Sequence, residues 1–228
     1  MATTVEPRPI VVPIEQRFVL FNIGWEGYEA MLKILGDRPI RTTYDRGNLE
    51  LMSPSRAHEE AKYLLGCVID TVTEELHIPR RGAGSTTWRR EDLDRGLEPD
   101  ACFYLANAEC IRGKAIDLSV DPPPDLAIEV DITRSSLDRM GVYAKLGVSE
   151  IWRYDGASLR IYLLQADGNY AESETSRSLP FLLPGEVARF LEQAGPMDHS
   201  EWGRQFRQWV RDELAARLRA RAEGVEQP

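Results

Sequence analysis

The strongest constraint on the fold is the stretch from residue 125 to residue 156, which reads DLAIEVDITRSSLDRMGVYAKLGVSEIWRYDG. Its pattern predicts a strand, a polar turn, a helix and a second strand. Side chains on a strand alternate between two faces, so Ala127, Glu129 and Asp131 share one face and apolar residues take the other. Because an unpaired carboxylate is costly to bury, we expect a metal ion or a nearby Arg or Lys at this face.

The composition fits one well-filled domain rather than a disordered or membrane-spanning chain. The chain has 228 residues, of which 43% are hydrophobic. No segment approaches the roughly 20 consecutive apolar residues of a membrane helix, and the start lacks a basic region followed by an apolar core. The three cysteines are unclustered. We therefore expect a cytoplasmic protein with no membrane partner, disulfide framework or zinc site.

The net charge of -9 argues against a protein coated in basic surface for non-specific nucleic-acid binding. It does not exclude a local basic groove, because arginines cluster at several points of the chain. We keep Arg89, Arg90 and Arg134 as candidate nucleic-acid contacts.

Hydrophobic periodicity predicts a mixed β-sheet flanked by helices, with one βαβ-like crossover and antiparallel additions. The predicted elements are a helix over 25–35, a strand pair over 40–52, a long helix after Ser53-Pro54-Ser55, a strand over 77–90, a strand opened at Asp100, a helix over 137–146 with Thr133, Ser135 and Ser136 as its N-cap, a hairpin over 149–164 and a helix from Pro184. The fold class is therefore α/β, with an N-terminal helix and hairpin.

A last amphipathic helix is predicted from Ser200 to about Ala222. It sets Trp202, Phe206 and Trp209 on one side and many charges elsewhere. Such a helix is more often a docking or dimer surface than a reader of nucleic acid. We therefore expect it to support a partner, including a homodimer.

The long helix after Ser55 carries His58, Glu59 and Glu60 in its first turn. His58 continues the apolar stripe, so it fits both a capping or core histidine and a member of a site. For the two glutamates, a solvated first turn favoured by the helix dipole is the simpler interpretation.

The acidic residues suggest a chemistry. Asp100 opens one strand, and Glu129 and Asp131 lie on one face of the next. Magnesium typically takes one or two carboxylates together with water and substrate phosphate. A metal ion held in this way activates water and offsets the charge of a phosphoryl displacement, so phosphodiester cleavage with Mg²⁺ or Mn²⁺ is the natural reaction.

Four segments of the chain combine into a known pattern: GNLELMSPSRAHEEA, EPDACFY, PPPDLAIEVDITRSSLDRMGVYAKLGVSEIWRYDG and LLPG, all within about residues 25 to 195. Together they resemble the Uma-two family of restriction-endonuclease-like proteins, in the PD-(D/E)XK nuclease superfamily. The resemblance implies a restriction-endonuclease-like fold, a divalent metal and a DNA substrate, which we expect to be double-stranded. It implies that Asp100 is the aspartate of the PD pair and Glu129 the acidic residue of the second motif.

The lysine of that pattern is missing from its usual place. The superfamily places its lysine two residues after the acidic residue, and Asp131 occupies that position here. In the Uma-two family the lysine lies on the following helix, four residues before a tyrosine that resembles Tyr143, and Arg139 occupies that position here. Arginine can hold a phosphate or offset charge, but it cannot transfer a proton near neutral pH. Lys145, which points away from the predicted face of Arg139, is the fallback.

Two functions therefore stay open. The first is a metal-dependent DNA endonuclease in which Asp100 and Glu129, with or without Asp131, hold the metal. In it Arg139 or Lys145 lies near the scissile phosphate, and His58, Glu59 or Glu60 completes the site. The second is a nuclease fold that has lost catalysis and acts as a binding or oligomerising module.

A purely structural alternative pairs Glu129 and Asp131 with Arg134 or Arg89 as internal ion pairs.

On the nuclease hypothesis we expect an extended arm over residues 1–14, a nuclease-like domain over 15–195 and a C-terminal helical extension over 196–228.

Overall fold

Two β-sheets and the helices that cover them make up the protein. The computed structural model describes residues 15–133 and 135–222. The proposed arm over residues 1–14 and the candidate nucleic-acid contact Arg134 lie outside the described residues.

In chain order, the strands are β1 (Gln16–Leu20), β2 (Arg41–Asp45), β3 (Asn48–Ser53), β4 (Arg81–Gly82), β5 (Trp88–Arg90), β6 (Arg95–Leu97), β7 (Ala101–Tyr104), β8 (Leu126–Val130), β9 (Glu150–Tyr154), β10 (Leu159–Leu164) and β11 (Tyr170–Ser173). The helices are α1 (Trp25–Leu35), α2 (Arg56–Glu75), α3 (Arg139–Leu146), α4 (Pro184–Ala194), α5 (His199–Trp209) and α6 (Ala215–Ala222), with a 3₁₀ turn at Glu91–Leu93 and a π-helical turn at Val210–Leu214.

The first sheet has the strand order β1-β3-β2-β6-β5, and its paired strands are antiparallel. The β2–β3 hairpin predicted from the sequence forms its centre. Helix α1 packs on this sheet through Tyr28, whose ring stacks on Tyr44 with centroids 4.6 Å apart. This sheet places β1 and β3 next to the end of the second sheet, because Arg17 and Glu50 both contact the loop after β8.

The second sheet has the order β11-β10-β9-β8-β7-β4. Strands β8 and β9 are parallel, and α3 lies in the crossover between them. The other pairs of this sheet are antiparallel. The mixed α/β fold with one βαβ crossover is confirmed.

The second sheet is covered on both faces, which explains the apolar character of β8. Leu126, Ile128 and Val130 face the main core, which also contains apolar residues of α2, α4 and α5. Ala127 faces a smaller core formed with Val142 and other residues of α3. Glu129 shares the α3 face with Ala127, so a carboxylate is presented to a helix.

The apolar stripe of the last helix is buried within the chain. Trp202 and Phe206 pack in the main core, and the indole of Trp202 donates to the Phe190 carbonyl at 2.7 Å. The expectation that this stripe is a docking surface is therefore wrong for these residues, because α4 and α2 already cover it. No helix in the described ranges is long and apolar enough to cross a bilayer.

Two local expectations also differ from the structure. The strand expected over 77–90 is two short strands, β4 and β5, that belong to different sheets. The N-cap of α3 is Asp138, whose side chain accepts from the Gly141 amide at 3.0 Å. A Cβ at Gly141 would meet the Asp138 carboxylate, so a larger residue there would require the cap side chain to shift.

Candidate active site at the end of the central strands

Asp100 and Glu129 lie opposite each other where strand β7 begins and strand β8 ends. In this antiparallel pair Ala101 faces Ile128, so one further step sets Asp100 against Glu129. The Asp100 amide also donates to the Ile128 carbonyl at 3.2 Å. Residues opposite each other in this way project on the same face with Cβ atoms about 5 Å apart. Both side chains are buried, with Asp100 2% and Glu129 5% exposed.

Asp100 is held by a buried histidine and by the backbone. One carboxylate oxygen lies 2.7 Å from Nε2 of His58, and the other accepts from the Val130 amide at 2.7 Å. The second ring nitrogen of His58 lies 2.5 Å from a carboxylate oxygen of Glu15. Ser55 caps α2 by accepting from the His58 amide at 3.1 Å, which directs this first helical turn at the end of the sheet.

His58 is charged near neutral pH. Burial alone would lower its pKa, but the hydrogen bonds to Asp100 and Glu15 raise the pKa of His58 to about 9. Burial would raise the pKa of Asp100, and the hydrogen bond and charge of His58 instead hold it below its usual value. Both ring nitrogens are therefore bonded to carboxylates, and His58 orients Asp100.

Glu129 is held from α3 by Arg139 and Tyr143. Arg139 binds it in a bidentate manner, with Nε 2.9 Å from one oxygen and Nη2 2.6 Å from the other. The Tyr143 hydroxyl donates to the same oxygen as Nη2. Arg139 and Tyr143 are four residues apart, a spacing that brings side chains together on one helix face. Arg139 also donates to the Glu98 carbonyl at 2.8 Å and to Thr43.

The environment of Glu129 acts on its charge in two directions. Burial raises the pKa of Glu129 to about 7, and the positive charge of Arg139 opposes that rise. Burial also raises the pKa of Tyr143, so its hydroxyl remains a donor. The ionised form of Glu129 therefore depends on Arg139.

Asp131 does not converge with the other two acids. Strand β8 ends at Val130, and Asp131 pairs with Nε of Arg153 on β9. Arginines therefore do pair with Glu129 and Asp131, as the structural alternative expects, but the described partners are Arg139 and Arg153. Arg89 instead pairs with Glu29 at 3.0 Å.

The remaining candidates lie around the site or away from it. Glu59 is partly exposed and binds Lys62 at 3.1 Å and Arg41 at 3.3 Å. Arg41 in turn lies 3.7 Å from Asp100, so Glu59 reaches the site only through Arg41. Lys145 is exposed in the last turn of α3. Arg90 binds Asp92 at 2.6 Å.

Two buried glutamates near the site were missed in the sequence. Glu50 accepts from Arg17 at 2.9 Å and from Ser135 and the Ser136 amide at 2.7 Å each. It lies opposite Thr43, which contacts Arg139. Glu50 could have been found from the sequence, because it is an acid between Leu49 and Leu51 in a predicted strand. No local pattern marked Glu15, which reaches His58 by long-range pairing of β1 with β3.

The acid pair fits a magnesium ion that keeps most of its water. The described residues contain no group of three or more His, Cys, Asp or Glu placed to hold a metal. A carboxylate offers about four acceptor positions, so those that His58, Val130, Arg139 and Tyr143 leave on Asp100 and Glu129 suffice for two ligands. Two carboxylates completed by water and substrate phosphate are a common magnesium site.

A cavity of about 150 Å³ opens the site toward the α3 side, and Glu129, Asp131, Arg139 and Arg153 are among its lining residues. Substrate can therefore approach Glu129 from this side, over Arg153.

The sequence matches one family model, Uma2, described as "Putative restriction endonuclease", over residues 25–192. Among solved structures, it is similar to the crystal structure of "a putative nuclease belonging to DUF820" from Anabaena variabilis. That similarity has 16% sequence identity and a TM-score of 0.48, and covers 72% of this chain and 97% of the other. No curated protein matches the sequence.

Proposed function

This chain belongs to the Uma2 family, and on that basis we propose that it is a metal-dependent DNA endonuclease that hydrolyses phosphodiester bonds. The observation that carries the proposal is the pairing of Asp100 with Glu129 where β7 begins and β8 ends, each held by a cationic partner. Paired, buried acids with perturbed pKa values, of which Glu129 lines a cavity, are typical of functional sites.

Asp100 and Glu129 would hold Mg²⁺ or Mn²⁺. The ion, when bound, lowers the pKa of a bound water and offsets charge on the phosphate. Asp131 is assigned to Arg153 rather than to the metal, because the two form an ion pair. His58 is a positioning residue, since its ring nitrogens are bonded to Asp100 and Glu15.

Arg139 would supply charge and not a proton. Its guanidinium stays protonated at any physiological pH, and it can bind carboxylate and phosphate in the same planar manner. It lies beside Glu129 at the cavity through which substrate approaches. Protonation of the leaving oxygen therefore falls to water.

One observation favours a second candidate, a nuclease fold that binds DNA without cutting it. Arg139 stands where the resemblance expects a lysine, and its two bonds with that of Tyr143 occupy most of the acceptor positions of Glu129. A clamp that stays closed leaves Glu129 about one acceptor position for a metal.

Nicking of supercoiled plasmid tests the proposal. Wild-type protein is incubated with Mg²⁺, with Mn²⁺ or with EDTA, beside Asp100→Asn, and circular dichroism checks that both proteins are folded. We expect nicking with either metal, none with EDTA, and a loss of about 100-fold or more in Asp100→Asn, the scale of losing one stabilising group.

Absence of metal-dependent nicking by the folded wild type would contradict the proposal. If such a protein still binds duplex DNA, the second candidate is the function. Equal rates for wild type and Asp100→Asn would assign the activity to another site or to a contaminant.

A further inference from the structure

A row of charged side chains crosses the second sheet at one level. Glu129 on β8 faces Arg153 on β9, and Arg153 faces Arg160 on β10. Asp100 extends the row by one strand on the other side of Glu129. Because register partners project on the same face, four neighbouring strands carry acid, acid, arginine and arginine.

The pairing of Arg153 with Arg160 is unfavourable without an anion between or beside them. Like charges directly opposite each other in an antiparallel pair are destabilising. Neither arginine is buried by packing, since their side chains are 37% and 53% exposed. Their acidic neighbours Asp131 and Asp155 offset part of that repulsion.

Both arginines keep donors for a ligand. Asp131 binds Nε of Arg153, which leaves the terminal nitrogens of that guanidinium for another anion. Arg160 has a hydrogen bond with Tyr162 on the same strand, which together with the charges of Glu172 and Asp155 raises the pKa of Arg160. Asp155 lies 3.9 Å from it, beyond hydrogen-bond distance. These acids lower the net charge of the patch, and the remaining guanidinium N–H groups stay available to an anionic ligand.

The cavities of this face meet at Arg153. The cavity of about 150 Å³ that reaches Glu129 is lined by Arg153, and so is one of about 470 Å³ that reaches Arg160 and Tyr162. A third, of about 250 Å³, joins Arg153 to the surface of α3. Open space thus leads from the acid pair along both arginines.

We propose that Arg153 and Arg160 bind the phosphates of the nucleic-acid strand whose scissile phosphate lies at Glu129. This inference rests on the proposed function and names the path of its substrate. Neighbouring strands are about 4.8 Å apart, so the arginines lie one and two such steps from Glu129. A DNA strand has one phosphate about every 3.4 Å of its axis, so both face the first few phosphates on one side of the cut.

DNA binding measured without cleavage tests this path. Fluorescence anisotropy of a labelled duplex is recorded in EDTA over a series of salt concentrations, for wild type, Arg160→Gln and Arg160→Glu. The matched control is Arg204→Gln on α5, because Arg204 is 69% exposed and paired with Glu201 at 2.7 Å. Arg160 is exposed enough that folding should survive its substitution.

We expect Arg160→Gln to weaken binding by about 3- to 10-fold and to lower the slope of log K against log salt by about 1, as for loss of one phosphate contact. Arg160→Glu should weaken it further, and Arg204→Gln should match wild type.

Equal affinity and slope for Arg160→Gln and Arg204→Gln would overturn the path, even if plasmid is nicked. The path is also overturned if the wild type binds no duplex. If the wild type never nicks plasmid but its DNA affinity depends on Arg160, the proposed phosphate path stands and the proposed hydrolase activity is wrong.

Discussion

Glu129 and Glu150 are both buried carboxylates of the second sheet, on adjacent parallel strands, but they lie at opposite ends. Glu129 is near the end of β8, and its partner Arg139 is a cation on a helix. Glu150 begins β9 and accepts from the indole of Trp152 at 2.7 Å and from the Ser178 amide at 2.8 Å. Burial is thus the same at the two ends, and the kind of partner differs.

The end of the sheet at Glu150 is built for structure. Asp125, at the same end, accepts from the Leu105 and Asn107 amides at 2.7 and 2.9 Å. Neutral donors of this kind hold loops in place and carry no positive charge that a phosphate could bind. At the other end, charged partners can transfer from a carboxylate to a phosphate, so only that end can respond to an anionic ligand.

The largest expected effect on stability is at the charged end. His58→Ala leaves the buried Asp100 and Glu15 without the cation that they share, which should cost about 3–5 kcal/mol. Glu150→Ala, which leaves neutral donors unpaired, should cost about 1–3 kcal/mol. Urea denaturation measures both, and a smaller loss for His58→Ala than for Glu150→Ala would remove the contrast between the two ends.

Stability should fall with rising pH because of the same histidine. The folded pKa of His58, about 9, lies above the ordinary value of 6.5, so its contribution is complete below pH 6.5 and disappears as the pH rises to about 9. The shift corresponds to about 3 kcal/mol at most. Melting curves at pH 6 and 9.5 check this, and a His58→Gln variant with the same pH dependence would contradict the assignment.

A smaller effect is expected from Arg139→Lys. A lysine keeps the positive charge beside Glu129 but loses the bidentate geometry, which should cost about 1–2 kcal/mol of stability. If the role of Arg139 is electrostatic, nicking by this variant stays within about tenfold of wild type. A much faster Arg139→Lys enzyme would show that the site needs proton transfer at this position.

The smallest effects should come from the exposed candidates. Lys145→Ala and Arg89→Gln alter partly exposed side chains, and each should change stability by about 0.5 kcal/mol or less. Nicking by Lys145→Ala should equal that of wild type. A large loss of nicking would return Lys145 to the site.

The fold could be predicted where the pattern was local. Alternation in β8, the polar turn and the helix ended by Gly147 predicted the βαβ unit, and the apolar stripe of α2 predicted its packing on a sheet. The short strands β4 and β5 were not separable, because a few residues around a glycine bend carry no signal for which sheet they join.

The site could be predicted in part. Asp100 and Glu129 came from strand position and family resemblance, and Arg139 came from the resemblance, with helical spacing in support. The partner of Asp131 could not be derived, because it depends on the register of β8 with β9. Glu15 could not be derived either, because it depends on strands far apart in sequence. Glu15, for example, contacts Thr133 across 118 residues.

The most direct test of the difference between the two ends is plasmid nicking by Glu129→Gln and Glu150→Gln, measured side by side with Mg²⁺. Both variants replace one buried carboxylate of the same sheet with a neutral side chain of the same shape. We expect Glu129→Gln to lose about 100-fold or more in rate, and Glu150→Gln to keep the wild-type rate when folded. Equal rates in the two variants would contradict the assignment of Glu129 to the active site.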